Sequence, residues 1–141
     1  MSLEGGALLF GSQPRTLMQR IEAEITRAKR EGEAFSLLAL DLDNFKAVND
    51  HYGHQVGDEV LQGFVRRCFD AIRPYDGVAR VGGEEFMVLL PRSARELAFS
   101  IGERLRTAVE SPLFESSVGR KVPMTVSIGV AVSHGFIALT T

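Results

Sequence analysis

VARVGGEEFMVLL, residues 78–90, sets two apolar runs on either side of two glycines and two adjacent acids. Each run is short and rich in β-branched and aromatic residues, so each reads as a strand, and the glycines read as the turn of a hairpin. A glycine pair alone would close such a turn. Two neighbouring glutamates at its tip repel each other, which points to a positive partner at that place.

Working outward, FSLLALDLD at 35–43 is a nearly continuous apolar run that ends in acids, the pattern of a buried strand. Residues 44–52 read as a short helix closed by Gly53, and Val56, Val60, Phe64 and Cys68 mark a longer one ending near Arg73 and Pro74. After the hairpin, Ser93 to Glu96 has the form of a capping box opening a helix whose buried face is Leu97, Ile101, Leu105 and Ala108. A final strand is expected over 122–132. Before all of these, Ser12, Gln13 and Pro14 look like the start of an amphipathic helix that carries Leu17, Ile21, Ile25 and Ala28 and runs to about Arg30.

The order predicts an α+β fold, an α/β sandwich: a ferredoxin-like palm with a βααββαβ core, a central antiparallel sheet flanked by helices, and an added N-terminal helix. Residues 1–11 are set aside as a leader, and 12–141 are expected to form one domain. A right-handed crossover makes the 35–43 strand parallel to the first hairpin strand. The hairpin tip then lies at the same sheet end as Asp41 and Asp43.

Bulk properties narrow the chemistry. The 141 residues carry a net charge of −2, so no basic surface speaks for nucleic acid. The single cysteine cannot form an internal disulfide, and no apolar run approaches the roughly 20 residues of a membrane helix. The expectation is a soluble cytoplasmic chain. Carboxylates converging at one sheet end, without a His/Cys set, suit Mg²⁺ or Mn²⁺ and metal-assisted phosphoryl or nucleotidyl transfer. Gly82 and Gly83 would let a triphosphate approach the backbone. The competing explanation is a solvated hairpin turn.

GGEEF at 82–86 resembles the signature of the GGDEF family, the diguanylate cyclases. DLDNFKAVND at 41–50, HYGHQVGD at 51–58 and VSIGVA at 126–131 resemble further family segments, in family order. The resemblance implies condensation of two GTP into cyclic di-GMP with release of pyrophosphate, in a homodimer of facing domains that uses Mg²⁺ or Mn²⁺. By position it implies metal binding by Asp41, the Leu42 carbonyl and Glu84. Glu84 is also a proton acceptor in this reading, and Glu85 a candidate for a second ion. Asn49 and Asp58 match guanine readers, since a carboxylate accepts from N1–H and the 2-amino group. His54 matches a substrate contact, Lys46 a phosphate contact, and Phe45 a pocket wall. Local roles compete with these: capping for Asn49 and Asp58, a turn for His54, a solvated charge for Lys46, and core packing for Phe45 and Phe86.

RPYD at 73–76 ends six positions before Gly82, where the family places its inhibitory product site. Arg73 would clamp cyclic di-GMP in fork geometry with Asp76 in support; the competing role is a helix end followed by a proline turn. Two segments depart from the family. FGSQPR at 10–15 keeps only the glycine and arginine of the family's opening motif. SHGFIALTT at 133–141 does not resemble the family's next helix, which supplies a Lys and an Arg to the triphosphate, so the expectation is a C-terminally shortened domain with its sensor or regulatory domain outside these residues. Two other functions therefore stand beside catalysis: a module that binds GTP or cyclic di-GMP without turnover, and a palm enzyme making a different bond.

Overall fold

The structure, a computed structural model, describes residues 16–133 and, for the backbone alone, 138–140. The expected helix start at Ser12 to Pro14, the leader, the Gly11 and Arg15 remnants, and most of the tail lie outside the described residues.

Helix α1 spans Leu17–Glu31, with Thr16 as its cap. Thr16 accepts from the Gln19 N–H and Gln19 accepts from the Thr16 N–H, a reciprocal pair that satisfies two otherwise orphaned donors. Strand β1 is Ser36–Leu42, followed by α2, Phe45–Tyr52, and α3, His54–Ala71. The hairpin is β2, Gly77–Gly82, with β3, Glu85–Leu90; α4 follows at Arg95–Glu110. Strands β4, Phe114–Glu115, and β5, Lys121–Val122, pair with each other, and β6 is Val126–Val132. A short β7, Ala138–Thr140, pairs with β6.

The main sheet has the order β2-β3-β1-β6-β7, with every neighbouring pair antiparallel. Strands β1 and β2 both run against β3, so they are parallel to one another, as the crossover requires. This is the α+β sandwich expected. Even-numbered residues of β1 (Leu38, Leu40, Leu42) face the core shared with α3 and α4, while Ala39 and Asp41 point to the other face and are exposed. Phe64 of α3 meets Phe86 of β3 there, with ring centroids 5.0 Å apart. Truncating either ring to alanine costs about 4 kcal/mol.

Helices α3 and α4 hold one another by exchanging arginines. Arg67 donates to the Val109 and Pro112 carbonyls at 2.8 and 2.6 Å, and Arg104 donates to the Ala71 carbonyl at 2.6 Å. Each cation covers carbonyls that its partner helix leaves unpaired at its C-terminal end. Burial pulls the Arg67 guanidinium below its ordinary range.

Three sequence expectations are corrected. The 122–132 segment is not one strand: Pro123 has no N–H for a ladder, and the chain breaks between β5 and β6. Ser93 does not cap α4, whose cap position is Ala94 with no side-chain bond. The Ser93 hydroxyl is engaged elsewhere, donating to the Pro91 carbonyl at 2.9 Å. The buried stripe of α4 is Ala98, Ile101, Leu105 and Val109, rotated from the expected one, and Leu97 is 42% exposed. On α1, Ile25 is 40% exposed, and an apolar groove of about 420 Å³ lies between Ile21, Ile25, Phe35, Leu37 and Ala131.

No helix among the described residues is long and apolar enough to cross a membrane.

Candidate functional site

The turn between β2 and β3 is tight and irregular. The register slips between Arg80 and Gly82, Gly82 pairs with Glu85, and Gly83 takes φ of 42°, a left-handed value that favours glycine. Arg80 Nε donates to the Gly83 carbonyl at 2.8 Å and braces the loop. This geometry presents Glu84 half-buried and Glu85 exposed.

Strand pairing brings the end of β1 to this turn. Asp41 stands opposite Glu85 in register, and the Leu42 N–H donates to the Glu84 carbonyl at 3.2 Å. Asp41 and the 82–85 turn, some forty positions apart in sequence, therefore share one sheet edge. Neither Asp41 nor Glu84 forms an ion pair with a described residue.

Asp43 has a different position. Its carboxylate accepts from Thr125 Oγ1 at 2.8 Å and Ser127 Oγ at 2.7 Å, and its N–H donates to the Thr125 carbonyl at 2.9 Å. It ties the exit of β1 to β6 rather than facing solvent with Asp41. Asn44 follows in the left-handed region, φ 56°, and turns the chain directly into α2.

The donor set at the shared edge is hard oxygen: two carboxylates without cationic partners, and backbone carbonyls beside them. Among the described residues no three His, Cys, Asp or Glu side chains gather as a metal cluster. A divalent ion held here would use two side chains, a carbonyl and substrate oxygens, a composition that suits Mg²⁺ or Mn²⁺. The residues fit such an ion.

Beside this edge, α2 and α3 meet at an elbow where Gly53 takes φ of 93°. Phe45 is half-buried and packs on the main core. Lys46 is exposed on α2, and Asn49 is half-buried with its amide against α3 at Gly57. His54 is the first residue of α3, not part of a turn, and is exposed; Asp58 is exposed one residue beyond Gly57. The capping roles fall away, since the cap positions of α2 and α3 are Asn44 and Gly53, and no side chain bonds at either. Phe86 belongs to the core, 1% exposed.

Arg73 and Asp76 lie just before β2, at the end of that strand remote from the turn. Arg73 Nε and Nη2 engage Asp76 at 2.8–3.1 Å, and Asp76 also accepts the Arg73 N–H at 2.8 Å. Nη2 reaches on to the Pro91 carbonyl at 3.1 Å and Ser93 Oγ at 2.6 Å. The guanidinium also lies 4.7 Å from the Tyr75 ring centroid. Hydrogen bonding to Asp76, more than the added charge attraction, holds Arg73 above the usual arginine range. The sequence pattern paired Arg73 with Asp76, but it offered no sign of Ser93 or Pro91 as further partners. Those arrive only through the neighbouring loop.

Comparison with known proteins follows the same lines. A family model described as "Diguanylate cyclase, GGDEF domain" matches residues 14–136. The response regulator PleD of Caulobacter vibrioides is 38% identical over 122 residues, which are 86% of this chain and 27% of that protein. Diguanylate cyclase DosC of Escherichia coli is 35% identical over 121 residues, again 86% of this chain and 26% of that protein. The chain thus spans about a quarter of the length of these relatives. Among solved structures, the coiled coil and GGDEF domain of DgcB from Caulobacter crescentus, in complex with c-di-GMP, is similar at a TM-score of 0.75 and 30% identity, covering 82% of this chain and 61% of that one.

Proposed function

Because the chain belongs to the GGDEF family of diguanylate cyclase domains, we propose that it condenses two GTP molecules into cyclic di-GMP at the edge shared by Asp41 and the 82–85 turn. One observation carries this reading: Asp41 in register with Glu85, with Leu42 bonded to the Glu84 carbonyl at 3.2 Å, sets hard oxygen donors around a glycine turn.

Asp41, Glu84 and the Leu42 carbonyl would hold Mg²⁺ or Mn²⁺. When bound, such an ion neutralises the α-phosphate and lowers the pKa of the attacking 3′-hydroxyl. In this reading Glu84 takes the hydroxyl proton, with Glu85 the next residue along the turn. The 3′-oxygen bonds to the α-phosphorus of the facing GTP, the bond from that phosphorus to the β-phosphate oxygen breaks, and pyrophosphate leaves. Repeating the step with roles exchanged closes the ring. Gly82 and Gly83 present no side chains to the phosphates, and Lys46 supplies a cation on the adjacent helix. Asn49 and Asp58 read the guanine edge, with Phe45 and His54 flanking it. Because each copy holds one GTP, activity requires a homodimer.

The test is product chromatography after incubation with GTP and Mg²⁺. Cyclic di-GMP, formed at a specific rate that rises with protein concentration, supports the proposal. Bound but unaltered GTP would instead identify a non-catalytic nucleotide module, and a monomeric cyclic nucleotide a palm enzyme of another kind.

Arg73 and Asp76 form the proposed inhibitory site for the product. Fork geometry, a buried supporting carboxylate and a neighbouring tyrosine ring are what a guanine and phosphate ligand would use. Arg73→Lys keeps the charge but loses the fork. That variant should turn over GTP yet resist added cyclic di-GMP, and inhibition equal to the parent protein's would end the assignment.

A further inference from the structure

We propose that Gly57 is a positioning residue for base recognition, because its missing side chain leaves the seat occupied by the Asn49 amide. The inference rests on the reading of Asn49 as a guanine contact and concerns what holds that contact in place.

Glycine weakens a helix, and Gly57 lies inside α3, buried. The backbone does not call for it. Gly32, Gly53, Gly83 and Gly119 take positive φ, and Gly57 does not. Space does call for it. A Cβ built on Gly57 would collide with Asn49 Oδ1 and would come within 2.9 Å of its Cγ, whereas the Phe45 ring stands at an ordinary 3.5 Å. The conflict is therefore with one amide.

Asn49 cannot escape by moving its helix. Its carbonyl accepts from the Gly53 N–H at 2.9 Å, which fixes the end of α2, and the Gly57 N–H donates to the Gly53 carbonyl at 3.0 Å, which fixes the start of α3. The clashing atoms are the far end of a rotatable side chain. An added methyl would therefore swing the amide away and leave the fold standing. Asp58, the next residue, stays where it is, so the elbow would keep its carboxylate and lose its amide.

Gly63, further along α3, supplies a contrast. A Cβ there meets the ring of Phe114, which belongs to β4 and lies outside the nucleotide elbow. Both glycines make room, one for a candidate ligand contact and the other for packing alone.

The experiment is a double-mutant cycle on the full chain, with a non-hydrolysable GTP analogue and Mg²⁺ titrated by calorimetry. Gly57→Ala should weaken binding roughly tenfold, as loss of one well-placed hydrogen bond does, without lowering the melting temperature. Asn49→Ala should weaken it similarly. The double variant should be no weaker than Asn49→Ala, because the methyl then has nothing to displace. Gly63→Ala should lower the melting temperature and leave affinity unchanged. Unaltered affinity in Gly57→Ala beside a weakened Asn49→Ala overturns the inference, as does simple additivity. Unaltered affinity in Asn49→Ala removes the base-reading role itself, and the inference with it.

Discussion

The two ends of β2 carry acids under opposite conditions. At the turn end, Asp41 and Glu84 share an edge without an ion pair to any described residue. At the other end, Asp76 has no exposed side-chain surface and meets an arginine that is 19% exposed, and the pair is bonded further to Pro91 and Ser93. Like charges left together and unpaired raise the free energy of their own site, and an external cation removes that cost. A buried carboxylate with a full set of partners ties loops together on its own. The contrast separates an edge whose acids have no ion pair with a described residue from a corner that already balances its charge. It also means that any ligand of Arg73 must share or displace contacts that support the fold.

The largest expected effect is at the turn. If Glu84 acts as proposed, Glu84→Gln should reduce turnover about a hundred- to a thousandfold, the scale of losing one group that stabilises transition-state charge. The melting temperature should not fall, because Glu84 has no ion pair with a described residue to lose. Full turnover, or a clear thermal loss, would erase the distinction between the two ends.

Arg73→Ala tests the opposite property. It leaves Asp76 buried and unpaired, and should cost about 3 kcal/mol of stability in a denaturant titration. A loss below roughly 1 kcal/mol would place the pair with ordinary exposed ion pairs, and the corner would no longer contrast with the turn.

The smallest of the three concerns Asp43, which lies in sequence beside Asp41 but resembles Asp76 in being satisfied by hydrogen bonds. Asp43→Asn should weaken its bonds to Thr125 and Ser127 and cost about 1 kcal/mol, with a smaller fall in turnover than Asp41→Asn. Equal falls would show that both aspartates serve the edge in the same way.

Much of this arrangement was legible along the chain. Short apolar runs located β1 and the hairpin strands, a closing glycine located α2, and helical spacing located α3, each to within a few residues. The GGEEF run and the acids of β1 were visible as candidates, and the topology already placed them at one end. Less legible were features that depend on what lies opposite. The α4 stripe centres on Ala98 and Val109 rather than Leu97 and Ala108, since the surface it packs against decides its rotation. Ser93 looked like a cap until Arg73 and Pro91 stood beside it. Gly57 drew no attention within the α3 pattern until Asn49 occupied the place of its side chain.

Local order of residues was therefore enough to determine the element types, the family and the identity of the acids, because periodicity, turn chemistry and motif spacing are properties of neighbours along the chain. Which acids stand unpaired, which are satisfied, and which glycine makes room for an amide were decided only by the folded arrangement. Charge balance and excluded volume act through space, between residues that the sequence holds far apart.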